Sequence, residues 1–164
     1  MIFITVGTHE QPFDRLLKCI DKMVEDGKIK EEIVCQKGYT DYEPKNYKAE
    51  KLIPYEQMQE NIEKARIVIT HGGPASFIAP LSIGKIPIVV PRKKEFNEHV
   101  NNHQLEFSKE VEKRMKNIIV AETDEEIEDA IIDYDKKVKK LSNKNNSNNK
   151  KFNEELIKEI KKII

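Results

Sequence analysis

The chain has 164 residues, 38% of them hydrophobic, which is enough to fill one domain and too little to fill two. Its 29 Lys and Arg balance 29 Asp and Glu, so a nucleic-acid binder that relies on bulk positive charge is excluded. No apolar run approaches the roughly 20 residues that span a bilayer. The N-terminal MIFITVGTHE lacks the features of a signal peptide, and Cys19 and Cys35 have neither metal-ligand nor disulfide-framework spacing. A cytoplasmic protein with two reduced thiols is expected.

Residues 2–6 form a continuous apolar, β-branched run closed by Gly7, the pattern of a strand buried on both faces of a parallel sheet. Residues 12–26 follow as a helix with Pro12 in its first turn and Phe13, Leu16, Leu17, Ile20, Met23 and Val24 on one face. The alternation continues with a strand at 32–35, a loop through 37–46, an extended segment at 48–53, a helix at 55–64 and a strand at 66–70. Next come a helix at 74–83, a strand at 86–90, a helix at 99–113, a strand at 117–120 and a helix at 124–140. Such a series predicts the α/β class: one doubly wound, Rossmann-like parallel sheet with its ligand at the carboxyl ends of the strands.

The balanced charge hides an asymmetry. Residues 135–164 hold ten lysines and four acids, so the tail is net positive and the body net negative. Within the tail, residues 142–151 are rich in Asn and Lys and read as a flexible linker. Residues 152–164 space Phe152, Leu156, Ile160, Ile163 and Ile164 as one apolar helical stripe, and lysines fill the other face. That helix can pack on its own domain, dock on a partner or lie on an anionic membrane. The predicted organisation is a body over 1–141, a tether and a terminal amphipathic helix.

All four histidines fall at, or a turn beyond, strand carboxyl ends: His9, His71, His99 and His103. The sharpest local feature is Thr70-His71-Gly72-Gly73-Pro74-Ala75-Ser76 between a strand and a helix. Two glycines permit close backbone approach, and a helix start offers amides and a positive dipole to phosphate. The same residues also fit a tight turn that binds nothing. The turn matches neither the dinucleotide pattern G-x-G-x-x-G nor the P-loop, so NAD and ATP are disfavoured. The loop over 91–104 gathers Arg92, Lys93, Lys94, Glu95, Glu98, His99, Asn101, Asn102, His103 and Gln104, donors and acceptors that suit sugar hydroxyls and diphosphate charge. His99 and His103 also have the spacing of two ligands on one helical face, but no third ligand completes a metal site.

TVGT after the first strand, HGGPAS, GKIPIVVPR and EHVNNHQ together resemble the catalytic subunits of PssE-type bacterial capsular or exopolysaccharide glycosyltransferases. These are related to the small cytosolic subunit of the dolichol-linked UDP-GlcNAc transferase. The resemblance covers about residues 1–110 and implies the donor-binding half of a GT-B enzyme, with the acceptor half supplied by a separate membrane-anchored subunit. It implies that Gly72, Gly73 and Ser76 hold the donor diphosphate, bordered by Gly7 and Thr8, while Ile53 and Pro54 seat the uracil ring. His103 and Gln104 then face the donor sugar, with His99 and Asn102 beside them. The wider superfamily often holds the ribose with a glutamate where this chain has Ala79, so ribose recognition passes elsewhere, with Glu98 as one candidate.

Inverting transfer needs a base for the acceptor hydroxyl and positive groups for the leaving diphosphate. His9 and Glu10 are the local candidates for the base, and Arg92, His71 and the helix dipole meet the second need without a metal. The reading is a UDP-sugar-dependent transferase subunit, with galactose as the sugar that the resemblance implies. Its acceptor is a lipid-linked saccharide, and its partner recruits it to the inner face of the plasma membrane. The alternative is a non-catalytic nucleotide-sugar-binding or enhancer subunit. An epimerase lacks its NAD fingerprint here.

Overall fold

The computed structural model describes residues 1–144 and 149–163. The elements run β1 (Ile2–Thr5), α1 (Asp14–Glu25), β2 (Ile33–Gln36), β3 (Ala49–Glu50), α2 (Tyr55–Lys64), β4 (Ile67–His71) and α3 (Pro74–Ser82). They continue through β5 (Ile88–Val90), α4 (His103–Met115), β6 (Ile119–Val120), α5 (Asp124–Ile132), α6 (Tyr134–Lys144) and α7 (Asn149–Ile163). All strands are parallel in the order β3-β2-β1-β4-β5-β6, which is the doubly wound, Rossmann-like sheet expected from the alternation. The winding reverses between β1 and β4, and there the loops leaving the strand ends part to form the ligand crevice of such sheets.

Alternation along the central strands sends side chains to two faces. Ile2, Ile4, Ile67, Ile69, Ile88 and Val90 join α1, α5 and α6 in one continuous apolar cluster. Phe3, Val68 and Val89 point the other way, where the packing divides into two clusters. One holds Ile62 of α2 and Ala65; the other holds Phe77 and Leu81 of α3, Val111 of α4 and Ile160 of α7.

Several boundaries differ from the sequence reading. The helix expected at 99–113 starts only at His103, because Asn97 takes a left-handed conformation (φ 56°) and residues 97–102 turn. His99 and His103 therefore do not share a helical face. The helix expected at 124–140 is two helices, broken at Asp133, and the break lets the buried Tyr134 donate its hydroxyl to the Ile86 carbonyl at 2.6 Å. The extended segment 48–53 narrows to the two residues of β3. Of the expected linker, residues 142–144 close α6 and 149–151 open α7, while 145–148 lie outside the described residues. The terminal amphipathic helix is α7, and it packs on α3 through Ile160.

Two polar ties hold the loops. The carboxylate of Asp21 on α1 accepts from the Tyr42 hydroxyl (2.6 Å) and from the amides of Lys45 (2.8 Å) and Asn46 (2.9 Å), pinning the loop before β3. Lys85 donates to the carbonyls of Ile62, Glu63 and Ala65 at 2.5–2.6 Å, so its ammonium caps the C-terminus of α2.

Candidate functional site

His71 ends β4 and is buried at the centre of the crevice. A Cβ on Gly7 would stand 2.4 Å from its Nε2, and a Cβ on Gly73 would stand 2.3 Å from its Cε1. The imidazole is therefore clasped between two glycines, and a side chain at either position would displace it. Gly72 has a separate reason, since a Cβ there would meet Gln104 Cβ at 2.9 Å and Ser108 Oγ at 3.0 Å. The glycines expected to admit a phosphate are first the space that admits a histidine.

The Gly73 amide donates to His71 Nδ1 at 3.1 Å, so the neutral ring carries its proton on Nε2, which lies 2.7 Å from Ser76 Oγ. Burial, then the charge of Arg92, holds the His71 pKa down at about 4, so the ring stays neutral at physiological pH. With its Oγ accepting from the histidine, Ser76 directs its own proton away from it. This matters because the start of α3 has few spare amides. Pro74 has none, the Gly73 amide serves His71, and the Ser76 amide bonds to the Gly73 carbonyl at 3.0 Å. The Ser76 hydroxyl and the amide of the exposed Ala75 are thus the donors that the helix dipole and turn together present to an anion.

His9 and His99 repeat the local geometry of His71. The Gln11 amide donates to His9 Nδ1 at 3.1 Å and the Asn101 amide to His99 Nδ1 at 3.4 Å, so Nδ1 is the accepting nitrogen in both rings and Nε2 the one turned outward from the turn. Their centroids stand 4.5 Å apart. Burial, then proximity to His9 and Arg92, lowers the pKa of His99.

Arg92 is fully buried beneath this cluster. Its guanidinium donates to the carbonyls of Gln11 (2.6 Å), Val6 (2.8 Å) and Glu98 (3.0 Å), tying the end of β1 to the loop after β5. Desolvation lowers its pKa to about 10 against the opposing pull of Glu98, and it remains charged. Expected to touch diphosphate, Arg92 instead holds the crevice floor and contributes charge from below.

Other expected contacts are also redistributed. Glu98, the ribose candidate, accepts from Arg15 at 2.9 and 3.2 Å and from the Lys93 amide at 3.0 Å, so its carboxylate closes a loop. Asn102 is likewise committed, accepting from the Lys94 amide (2.9 Å) and donating to Glu95 (2.7 Å). Ile53 turns its side chain into the core beside Phe3 and gives its amide to Gln36 Oε1 at 2.8 Å, while Pro54 beside it is exposed. Gln104 accepts from the Arg92 amide at 3.3 Å and hydrogen-bonds His71. Thr8, Glu10 and His103 are exposed. The fold therefore brings Gly7, His9, His71, Gly73, Ser76, His99 and Gln104 together, and it separates Ile53, Glu98 and Asn102 from them.

Ser76 also opens onto a groove of about 400 Å³ between α2 and α3. Its walls are Tyr55, Met58, Gln59 and Ile62 at helical spacing on α2, and Ala75, Ser76, Ile78, Ala79 and Ser82 on α3. Thr5 of β1 closes one end, and Ile157 and Lys161 of α7 lie along it. The sequence reading missed this groove; its one visible signal is the 76% exposed Tyr55 at the crevice end of α2. Among the described residues no group of three His, Cys, Asp or Glu is placed to hold a metal ion.

A six-stranded parallel sheet open at its switch point, with a neutral histidine–serine pair at a helix start, defines a Rossmann-like α/β domain. More particularly, residues 1–160 match the glycosyltransferase family 28 C-terminal domain, and the chain belongs to that family. It is 33% identical over 121 residues to the human UDP-N-acetylglucosamine transferase subunit ALG13, covering 68% of this chain and 10% of that protein. The crystal structure of the glycosyltransferase SnogD from Streptomyces nogalater superposes with a TM-score of 0.59 at 17% identity, over 99% of this chain and 43% of that one. The chain thus spans a tenth of the curated relative and under half of the structural neighbour, which itself speaks for the fold.

Proposed function

We propose that the chain is the donor-binding subunit of a UDP-sugar-dependent, inverting glycosyltransferase. The observation that carries this reading is the His71–Ser76 pair, which presents a hydroxyl donor at the start of α3 where the groove between α2 and α3 begins. The relative's UDP-sugar chemistry supports the same donor class. Family membership supports transfer to an acceptor, and the PssE-type resemblance implies a separate acceptor-binding partner. The partner is membrane-anchored and recruits the chain to the inner membrane face. The acceptor is a lipid-linked saccharide of capsule or exopolysaccharide synthesis, and galactose is the transferred sugar, as the PssE-type resemblance implies.

In the reaction the acceptor oxygen forms its bond to the sugar C1 as the C1–diphosphate bond breaks, and the acceptor proton passes to a base. Ser76, the α3 dipole and the charge of Arg92 stabilise the leaving UDP, and no metal is required. His9 is the weaker base candidate, because its Nδ1 lone pair is engaged by the Gln11 amide. The exposed carboxylate of Glu10 takes that role. The same geometry favours a second reading, in which the chain binds the donor and the partner supplies the base.

Calorimetry of UDP with the purified chain, with and without Mg²⁺, tests the donor site. Metal-independent binding, weakened roughly tenfold by Ser76→Ala, is expected from loss of one charge-assisted hydrogen bond. Ser76→Ala is preferred to a change at Gly73, which would expel His71. Absence of UDP binding overturns the proposal. In the assembled complex, Glu10→Gln with turnover intact would move the base to the partner.

A further inference from the structure

On the donor-site reading above, we propose that α7 forms a wall of the nucleotide pocket and that Lys161 contacts the nucleoside diphosphate. The groove leaving Ser76 is built from three helices. Two of them, α2 and α3, follow and precede sheet strands and are fixed by the fold. The third is the C-terminal helix, anchored against α3 by Ile160, which is 2% exposed among Phe77, Leu81 and Val111. That anchor sets the facing pair Ile157 and Lys161, one helical turn apart, along the groove.

The chemistry of the lining indicates the occupant. Lys161 is the one charged side chain among the described residues that line the groove, so the pocket carries a positive charge with no lining acid to neutralise it. Ser76 and Thr5 supply hydroxyls at the crevice end, and exposed Tyr55 offers an aromatic face to a planar base. From Ser76 to Ala79 is about 4.5 Å along α3, the distance from a diphosphate to the adjoining sugar. At Ala79 the wall of α3 offers only a methyl group, so it cannot hydrogen-bond ribose hydroxyls. The Lys161 ammonium, with three donors on a flexible stem, is the charged group that this lining offers to them or to the neighbouring phosphate oxygen. A C-terminal segment read from sequence as a tether and docking element thereby becomes part of the donor site itself.

The test is calorimetry of the full chain with UDP and with uridine, comparing Lys161→Met with Lys158→Met, an exposed lysine of the same helix outside the groove. Lys161→Met keeps the aliphatic stem and removes the charge. It is expected to weaken UDP by about fivefold or more, with Lys158→Met equal to wild type. A matching loss for uridine assigns the contact to the ribose; a loss for UDP alone assigns it to phosphate. Unchanged UDP affinity in Lys161→Met, or an equal loss in Lys158→Met, overturns the proposal. Absence of UDP binding by the wild type overturns the donor-site reading instead. Hydrogen exchange on the unmodified chain gives an independent check: UDP is expected to slow exchange in α7, and unchanged exchange there counts against the wall.

Discussion

The two faces of the sheet are built from similar residues and do different work. On the α1–α5–α6 face, apolar side chains from Ile2 to Tyr134 touch in one uninterrupted cluster. On the α2–α3–α4–α7 face the packing splits, one cluster around Phe3 and Ile62 and another around Phe77 and Val111, and the groove lined by Ala79 runs between α2 and α3. The difference teaches where a small domain can place a ligand. Continuous burial supplies the stability, and the face where close packing is interrupted leaves a groove open to a ligand.

The comparison breaks most visibly if both faces respond alike to truncation. Phe13→Ala on the continuous face is expected to cost about 3–5 kcal/mol in urea unfolding, whereas Met58→Ala on the partly open groove wall is expected to cost about 1 kcal/mol. Equal losses would show that the groove is packed core. Next in size is Arg92→Met. It strands the carbonyls of Val6, Gln11 and Glu98 without donors and is expected to cost about 3 kcal/mol. Arg92→Lys is expected to recover only part of it, since an ammonium cannot reproduce the planar fork.

His71 gives the pH dependence. Its folded pKa of about 4 lies below the ordinary 6.5, so the unfolded chain takes up the proton first. Its contribution is fully present above pH 6.5 and is lost as pH falls toward 4, up to on the order of 3 kcal/mol. His71→Gln is expected to flatten that part of the stability profile; an unchanged profile would place the imidazole in water. A smaller effect sharpens the functional side of the comparison. Ala79→Leu fills the groove and is expected to raise stability by about 1 kcal/mol while abolishing UDP binding. The smallest effect is on the continuous face, where burial pushes the Cys35 thiol up to about 12. Native protein is expected to resist alkylation that urea-unfolded protein undergoes at once.

The α/β alternation, the central strands and the position of the HGGP turn were legible from sequence, because strand and helix periods are local and a glycine pair between them marks a sharp turn. The helix at 55–64 was bounded to the residue. The breaks at Asn97 and Asp133 were not legible, since a left-handed asparagine and an inward-turned tyrosine are set by what the chain meets in space. Site residues divide along the same line. His9, His71, His99 and His103 were singled out because they follow strand ends, and the fold clusters the first three, with Gln104 of the same loop, and leaves His103 exposed. Glu98 and Arg92 share that loop but are spent on Arg15 and on backbone carbonyls more than 70 residues away in Val6 and Gln11, partners that no local pattern reveals.

The sequence by itself determined the strand and helix order, the parallel sheet that such an order forces, and which loops stand at its functional edge; each follows from periodicity and connection handedness. Only the tertiary structure decided what those loops do. It showed that Gly7 and Gly73 make room for an imidazole, that the rings of His9 and His99 stand 4.5 Å apart, and that a helix from the far end of the chain reaches the groove beside Ala79. Ring neighbours and pocket walls depend on residues distant in sequence, and distance in sequence carries no signal until the chain folds.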